Sequence, residues 1–201
     1  SLRRDWSSDV CSSDLSRKRW KIALGVVVLF AVVGWLVAWP AYQRHLAIAE
    51  IERVGGYAFP TPTAPSWMRR WGYYRRRHTV YLEDKPFTDS GLSRIDGLAN
   101  LKYLYMQGTE VSDEGVKHLT TLRHLYDLSL ARTQITGDGL RRLVDIPSLR
   151  KLRLEGTAVT DKGLQHLVGL EKLIYLNLSD TLVTEDGVKM LQESLPKLRS
   201  A

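Results

Sequence analysis

Four kinds of residue in this 201-residue chain could do chemistry: one cysteine, five histidines, a recurring Asp-x-Gly triplet and an arginine-rich aromatic run. Cys11 stands alone, so no internal disulfide framework exists and the fold must be held by burial. His118 and His166 lie 48 residues apart at equivalent positions of a repeating pattern. If the intervening units stack as strands, the two are about 10 Å apart, too far to share one metal ion. His45, His78 and His124 have no Cys, His or acidic partner at ligand spacing. The Asp-x-Gly triplet offers carboxylates that suit calcium, but it recurs only at the 24-residue spacing and is already explained by helix capping. No phosphate-cradling glycine loop, serine elbow or paired-carboxylate cleft is present. These residues predict no enzyme, no cofactor and no metal.

The elements that would position such residues come from a repeat. VYLEDKPFTDSGL, LYMQGTEVSDEGV, LSLARTQITGDGL, LRLEGTAVTDKGL and LNLSDTLVTEDGV begin at Val80, Leu104, Leu128, Leu152 and Leu176, each 24 residues after the last. A constant period between about 20 and 50 residues signals a solenoid. Pairs such as Leu152 and Leu154 are two apart and therefore face one side of a strand. Leu164, Leu167, Leu170 and Leu173 recur three apart, as on the inward side of a return helix. Thr109, Thr133, Thr157 and Thr181 form a column whose hydroxyls can bond the turn leaving each strand. Lys85 stands there in the first unit. Ser112 with Asp113, and Thr160 with Asp161, read as helix N-cap chemistry. Gly91, Gly115, Gly139, Gly163 and Gly187 mark places where neighbouring coils pack close or the backbone needs freedom.

With its Leu-x-x-Leu-x-Leu core, this pattern resembles the leucine-rich repeats, specifically bacterial relatives of the F-box-type cysteine-containing repeats, with Thr at the Cys position. The resemblance covers about Val80 to Arg199. It implies an α/β solenoid with a parallel sheet on the concave side and short helices on the convex side. It does not carry over a ubiquitin-ligase role, since residues 43–78 are too short and too basic for an F-box.

Strand residues that alternate with the core leucines should line the concave sheet. They are Thr79, Tyr81 and Glu83; Tyr103, Tyr105 and Gln107; Asp127, Ser129 and Ala131; Lys151, Arg153 and Glu155; Tyr175, Asn177 and Ser179. Tyrosine and arginine dominate interface hot spots, so this surface is expected to bind a protein or peptide. Caps are expected at both ends. Leu46, Ile48, Ile51 and Val54 suggest an amphipathic helix ending at Gly55-Gly56, and Ser66 to Trp71 a second short one. At the other end, Leu195 and Leu198 fall one residue out of the 24-residue register, either as a last cap or where a further unit is missing.

Charge is uneven. From Thr79 onward, 16 Lys and Arg face 17 Asp and Glu, so the pI near 9.6 comes from the flanks of one uncharged stretch. A nucleic-acid binder should carry its positive charge on the folded domain, so none is expected. IALGVVVLFAVVGWLVAWP, from Ile22 to Pro40, carries no charge. As a helix it would span about 28 Å, near the thickness of a bilayer core. Trp20, Trp35, Trp39 and Tyr42 sit near its ends, and four cations precede it. The positive-inside rule then places the N-terminus in the cytoplasm and the repeats outside, in the periplasm or at the cell surface. Secretion after cleavage near Ala47-Ile48-Ala49 is the alternative. Beyond this stretch, Arg69, Arg70, Arg75, Arg76 and Arg77 interleave with Trp67, Trp71, Tyr73 and Tyr74. They could grip anionic lipid or wall polymer, which makes a structural envelope spacer the alternative function.

Asp5 to Leu15, DWSSDVCSSDL, follows no structural pattern and matches one reading frame of a common short-read sequencing adapter. Discounting residues 1–15 removes Cys11 and moves the net charge from +7 to +8. The expected organisation is therefore a non-native segment 1–15, a basic flank 16–21, a transmembrane helix 22–42, a basic cap 43–78 and the repeat domain 79–201.

Overall fold

A computed structural model describes residues 28–29, 31–36, 38–40, 42–59 and 79–200 of the chain. The adapter-like stretch 5–15, the basic flank 16–21, the expected helix at 66–71 and the arginines at 69, 70, 75, 76 and 77 lie outside the described residues. The chain divides into two compact units, Ser1–Tyr42 and Gln43–Ala201.

In the first unit the described residues are helical and exposed, and the Trp35 and Trp39 rings stack with centroids 4.8 Å apart. Among the described residues, no helix is long and apolar enough to cross a membrane. Residues 22–27, 30, 37 and 41 of the expected span are outside that set.

The second unit is the repeat array, and its sheet has seven strands in chain order. They are β1 (Tyr57–Phe59), β2 (Thr79–Tyr81), β3 (Tyr103–Tyr105), β4 (Asp127–Ser129), β5 (Lys151–Arg153), β6 (Tyr175–Asn177) and β7 (Arg199–Ser200). From β2 to β7 every pairing is parallel, and the register steps by one 24-residue unit: Val80 faces Leu104, which faces Leu128, then Leu152 and Leu176. The return helices are α1 (Asp89–Leu92), α2 (Asp113–Leu119), α3 (Gly137–Leu143), α4 (Asp161–Leu164) and α5 (Glu185–Ser194). Short 3-10 turns follow α1 and α4 at Ile95–Gly97 and Gln165–Gly169. One continuous core runs through all coils, and Leu104, Leu128, Leu152 and Leu176 are fully buried in it. Truncating any one of them to Ala removes about 2–5 kcal/mol.

Three local devices close each coil. First, the threonine column behaves as expected: Thr109, Thr133, Thr157 and Thr181 donate to the carbonyls of Met106, Leu130, Leu154 and Leu178 at 2.6–2.7 Å. Second, the turn after each strand has one residue in the left-handed region, at Asp84, Gly108, Arg132, Gly156 and Asp180. Only glycine adopts that conformation without steric cost.

Third, the carboxylates bond between coils. Asp89 accepts from the amide and hydroxyl of Ser112 at 2.8 and 2.6 Å, and Asp113 from those of Thr136 at the same distances. Asp161 does so for Thr184 at 2.8 Å from both. The hydroxyls of Ser112, Thr136 and Thr184 accept in turn from their own helix amides, so capping holds there. Thr160 makes no such cap. The coil before it has Gly137 where Asp89, Asp113 and Asp161 stand in three others, and a methyl group there would meet Gly163 Cα at 2.8 Å. The repeated glycines thus serve close packing, because side chains at Gly115, Gly139 and Gly187 would collide with Asp89, Asp113 and Asp161.

At the N-terminal end, residues 43–53 are helical, as expected, and bury Ala47, Ile48 and Ile51. Leu46, expected on the buried side, is 42% exposed, and Ala47 takes its place inside. The first coil is then covered by β1, which pairs antiparallel with β2, Tyr57 facing Tyr81. That strand has no counterpart in the repeat pattern. Gly55 at φ 77 ends the helix, and Gly56 has no room for a side chain against Leu82 and the Tyr81 carbonyl. Glu50, 6% exposed, is hydrogen-bonded to Arg53 and to Arg94 of the first coil, at 2.7 Å each. The Arg53 hydrogen bond lowers the Glu50 pKa; burial opposes it and the two arginine charges add to it. At the other end, β7 continues the sheet although Leu195 and Leu198 are shifted by one, since Arg199 still pairs with Tyr175, 24 residues back.

The candidate binding face

Because side chains alternate along each short strand, the middle residue of each points into the core and the flanking two face the concave side. The concave columns are therefore Thr79, Tyr103, Asp127, Lys151, Tyr175 and, next to it, Tyr81, Tyr105, Ser129, Arg153, Asn177, in lateral register. The expected residues are brought onto one surface. They are not equally accessible.

Tyr81 is 40% exposed and its ring stacks on Tyr105, with centroids 5.1 Å apart and planes 22° from parallel. Tyr103, Tyr105, Gln107, Lys151, Glu155, Tyr175 and Asn177 are half-buried. Thr79, Asp127, Ser129 and Ala131, expected to be open, are buried. The reason lies in side-chain length. Ser129 is short and lies between Tyr105 and Arg153, whose long side chains lean together above it. The Arg153 guanidinium lies 5.7 Å from the Tyr105 ring and 5.6 Å from the Tyr175 ring, within cation-π range of both. It donates to Asp127 Oδ1 at 2.6 Å, while the Tyr105 hydroxyl reaches Asp127 Oδ2 at 3.4 Å.

This cluster is held electrostatically. Burial works against the Arg153 charge, but the Asp127 carboxylate together with Tyr105 and Tyr175 outweighs it and raises the guanidinium above its ordinary value. Burial, then the charge of Asp127, pushes the Tyr105 phenol up. Arg153 therefore already has a structural task and is not a free anchor. Glu155 and Asn177 are also engaged, with Asn177 Nδ2 donating to Glu155 Oε1 at 2.6 Å. A second aromatic group edges the face: Tyr103 and Tyr126 lie 6.0 Å apart, with Arg150 5.9 Å over Tyr126. Tyr126 and Arg150 were missed from the sequence because they precede the strands and fall outside the two-residue alternation.

His118, in the last turn of α2, is half-buried, and His166, in the 3-10 turn after α4, is exposed. Among the described residues, no group of three or more His, Cys, Asp or Glu could hold a metal ion.

Residues 97–120 and 146–168 match the family model described as Leucine Rich repeat. No curated protein matches the chain significantly. Among solved structures, it is similar to an internalin, InlF, from Listeria monocytogenes, with 25% identity, 55% of this chain and 30% of that chain covered, and a TM-score of 0.47. It is similar to internalin C2 of the same organism, with 30% identity, 54% and 44% covered, and a TM-score of 0.46. A Leptospira interrogans LRR protein gives 19% identity, 54% and 33% covered, and a TM-score of 0.40. The chain spans less than half the length of each of these structures.

Proposed function

We propose that this leucine-rich-repeat chain is a non-enzymatic binding module that takes a protein or peptide across its concave sheet. One observation carries the reading: Tyr81 and Tyr105 form an ordered, solvent-reachable stack on the sheet face, with Lys151 and Tyr175 alongside. Rigid aromatic groups gain contact area at little entropic cost, which is why they anchor interfaces. The reading includes a tether. The uncharged stretch Ile22 to Pro40, with four cations before it, supports a single membrane span with the repeats outside the cytoplasm. The 24-residue repeat would belong to the bacterial relatives of the cysteine-containing type.

The test replaces Tyr81 and Tyr175 with Ala together and measures capture of the partner from native envelope extract. Capture falls at least tenfold while the unfolding midpoint moves little. Capture that survives these changes, but is lost when Arg75, Arg76 and Arg77 are neutralised, replaces the concave reading with a spacer that holds lipid or wall polymer.

A further inference from the structure

The two rims of the concave sheet carry opposite charge. The residues leading into β3 to β7 are 99–103, 123–127, 147–151, 171–175 and 195–199. They bring Lys102, Arg123, Arg150, Lys151, Lys172, Lys197 and Arg199 to one rim, and their only acids are Glu171 and Asp127, the latter buried against Arg153. The turns leaving the strands form the opposite rim, where Glu83, Asp84, Glu110, Glu155 and Asp180 face only Lys85 and Arg132. Arg132 is itself paired with Asp84 at 3.2 Å. None of the salt bridges among the described residues engages the seven cations of the first rim. With strands about 4.8 Å apart, the four spacings from β3 to β7 extend that rim over about 19 Å. Neighbouring cations lie within one screening length of each other in about 0.1 M salt, so they act together.

We infer that the basic rim of the strand entries binds an acidic, extended peptide segment lying across the strands, with its carboxylates on Lys102, Arg150 and Lys151. This rests on the concave-face reading and specifies its partner. An extended chain advances about 3.4 Å per residue, so about six residues match the rim. Tyr103, Tyr126 and Tyr175 lie among the cations and supply aromatic contact to such a backbone. A duplex nucleic acid fits less well, because its second strand carries a further row of phosphates toward the acidic rim.

The experiment uses the full chain in a neutral detergent at low salt, with fluorescence anisotropy of a labelled hexaglutamate peptide and of a short double-stranded DNA oligonucleotide. Arg75, Arg76 and Arg77 remain in every variant, so their attraction is common to all. The native chain binds the peptide more tightly than the DNA, and Lys102→Glu/Arg150→Glu/Lys151→Glu weakens peptide binding at least tenfold with an unchanged circular dichroism spectrum. The single variant Lys151→Glu gives a smaller loss in the same direction and guards against misfolding of the triple variant. Equal binding of DNA, no peptide binding, or peptide binding indifferent to both variants overturns the inference. If binding is indifferent to the rim but lost on Tyr81→Ala/Tyr175→Ala, the concave reading stands and the rim assignment alone falls.

Discussion

The Arg153 guanidinium closes on the Asp127 carboxylate at 2.6 Å across one strand spacing, beside the fully buried Ser129. The concave surface is therefore stiffened from within. The residues left to meet a partner are those around the pair.

Breaking this pair tests its structural role. Asp127 is 5% exposed at the side chain and Arg153 28%, so Arg153→Met strands a buried carboxylate and costs about 3 kcal/mol. The double variant Arg153→Met/Asp127→Asn regains more than half of that loss. Urea unfolding of the three proteins reads both effects, and equal stability of the two variants contradicts the account.

The carboxylate ladder between coils makes a second prediction. Asp113 accepts two hydrogen bonds from Thr136, so Asp113→Ala costs about 2–3 kcal/mol. Asp138→Ala, an exposed position on the next helix, changes stability by less than about 0.5 kcal/mol. Thermal melts of the two variants separate a ladder from ordinary surface charge.

Acid should loosen the N-terminal cap. The Glu50 pKa is lowered in the folded chain, chiefly by the Arg53 hydrogen bond. Its stabilisation is thus fully present above the unfolded pKa of about 4.3 and is lost as pH falls through the lower folded value. Native stability should decline more steeply between about pH 5 and pH 3 than that of Glu50→Gln. Parallel pH profiles for the two proteins would rule out this contact.

The left-handed column predicts an asymmetry among turns. Gly156 has φ 64, so Gly156→Ala destabilises by about 1–2 kcal/mol. Gly97→Ala also destabilises, for a different reason, since the new methyl group would meet the Gln43 carbonyl carbon at 2.5 Å. Adding Glu50→Gln should compound the second loss non-additively, because both act on the cap, and leave the first additive. Chemical denaturation of the three single and two double variants reads this.

The repeat was legible because its period is local: strand leucines, the threonine column and the return helices follow from spacing alone. β1 was not, since Tyr57–Phe59 belongs to no repeat and its pairing with β2 is antiparallel. The Asp113–Thr136 bonds join adjacent coils, and the sequence shows only their trace, an Asp at 89, 113 and 161 with Gly at 137. The column at 84, 108, 132, 156 and 180 left a similar trace, with glycine at only two of its five places. The burial of Asp127 and Ser129 could not be read from alternation, which gives the direction of a side chain and not the reach of its neighbours. The tyrosines kept their assigned face. Arg153 kept its face and acquired an internal partner.

The most direct test of concave-face binding places a photo-crosslinking residue at Gln107, on the sheet side, and separately at Gln165, on the return-helix side, in the full chain. The account predicts one discrete partner adduct from position 107, reduced by Tyr81→Ala, and none from position 165. The same adduct from both positions, or from position 165 alone, contradicts it.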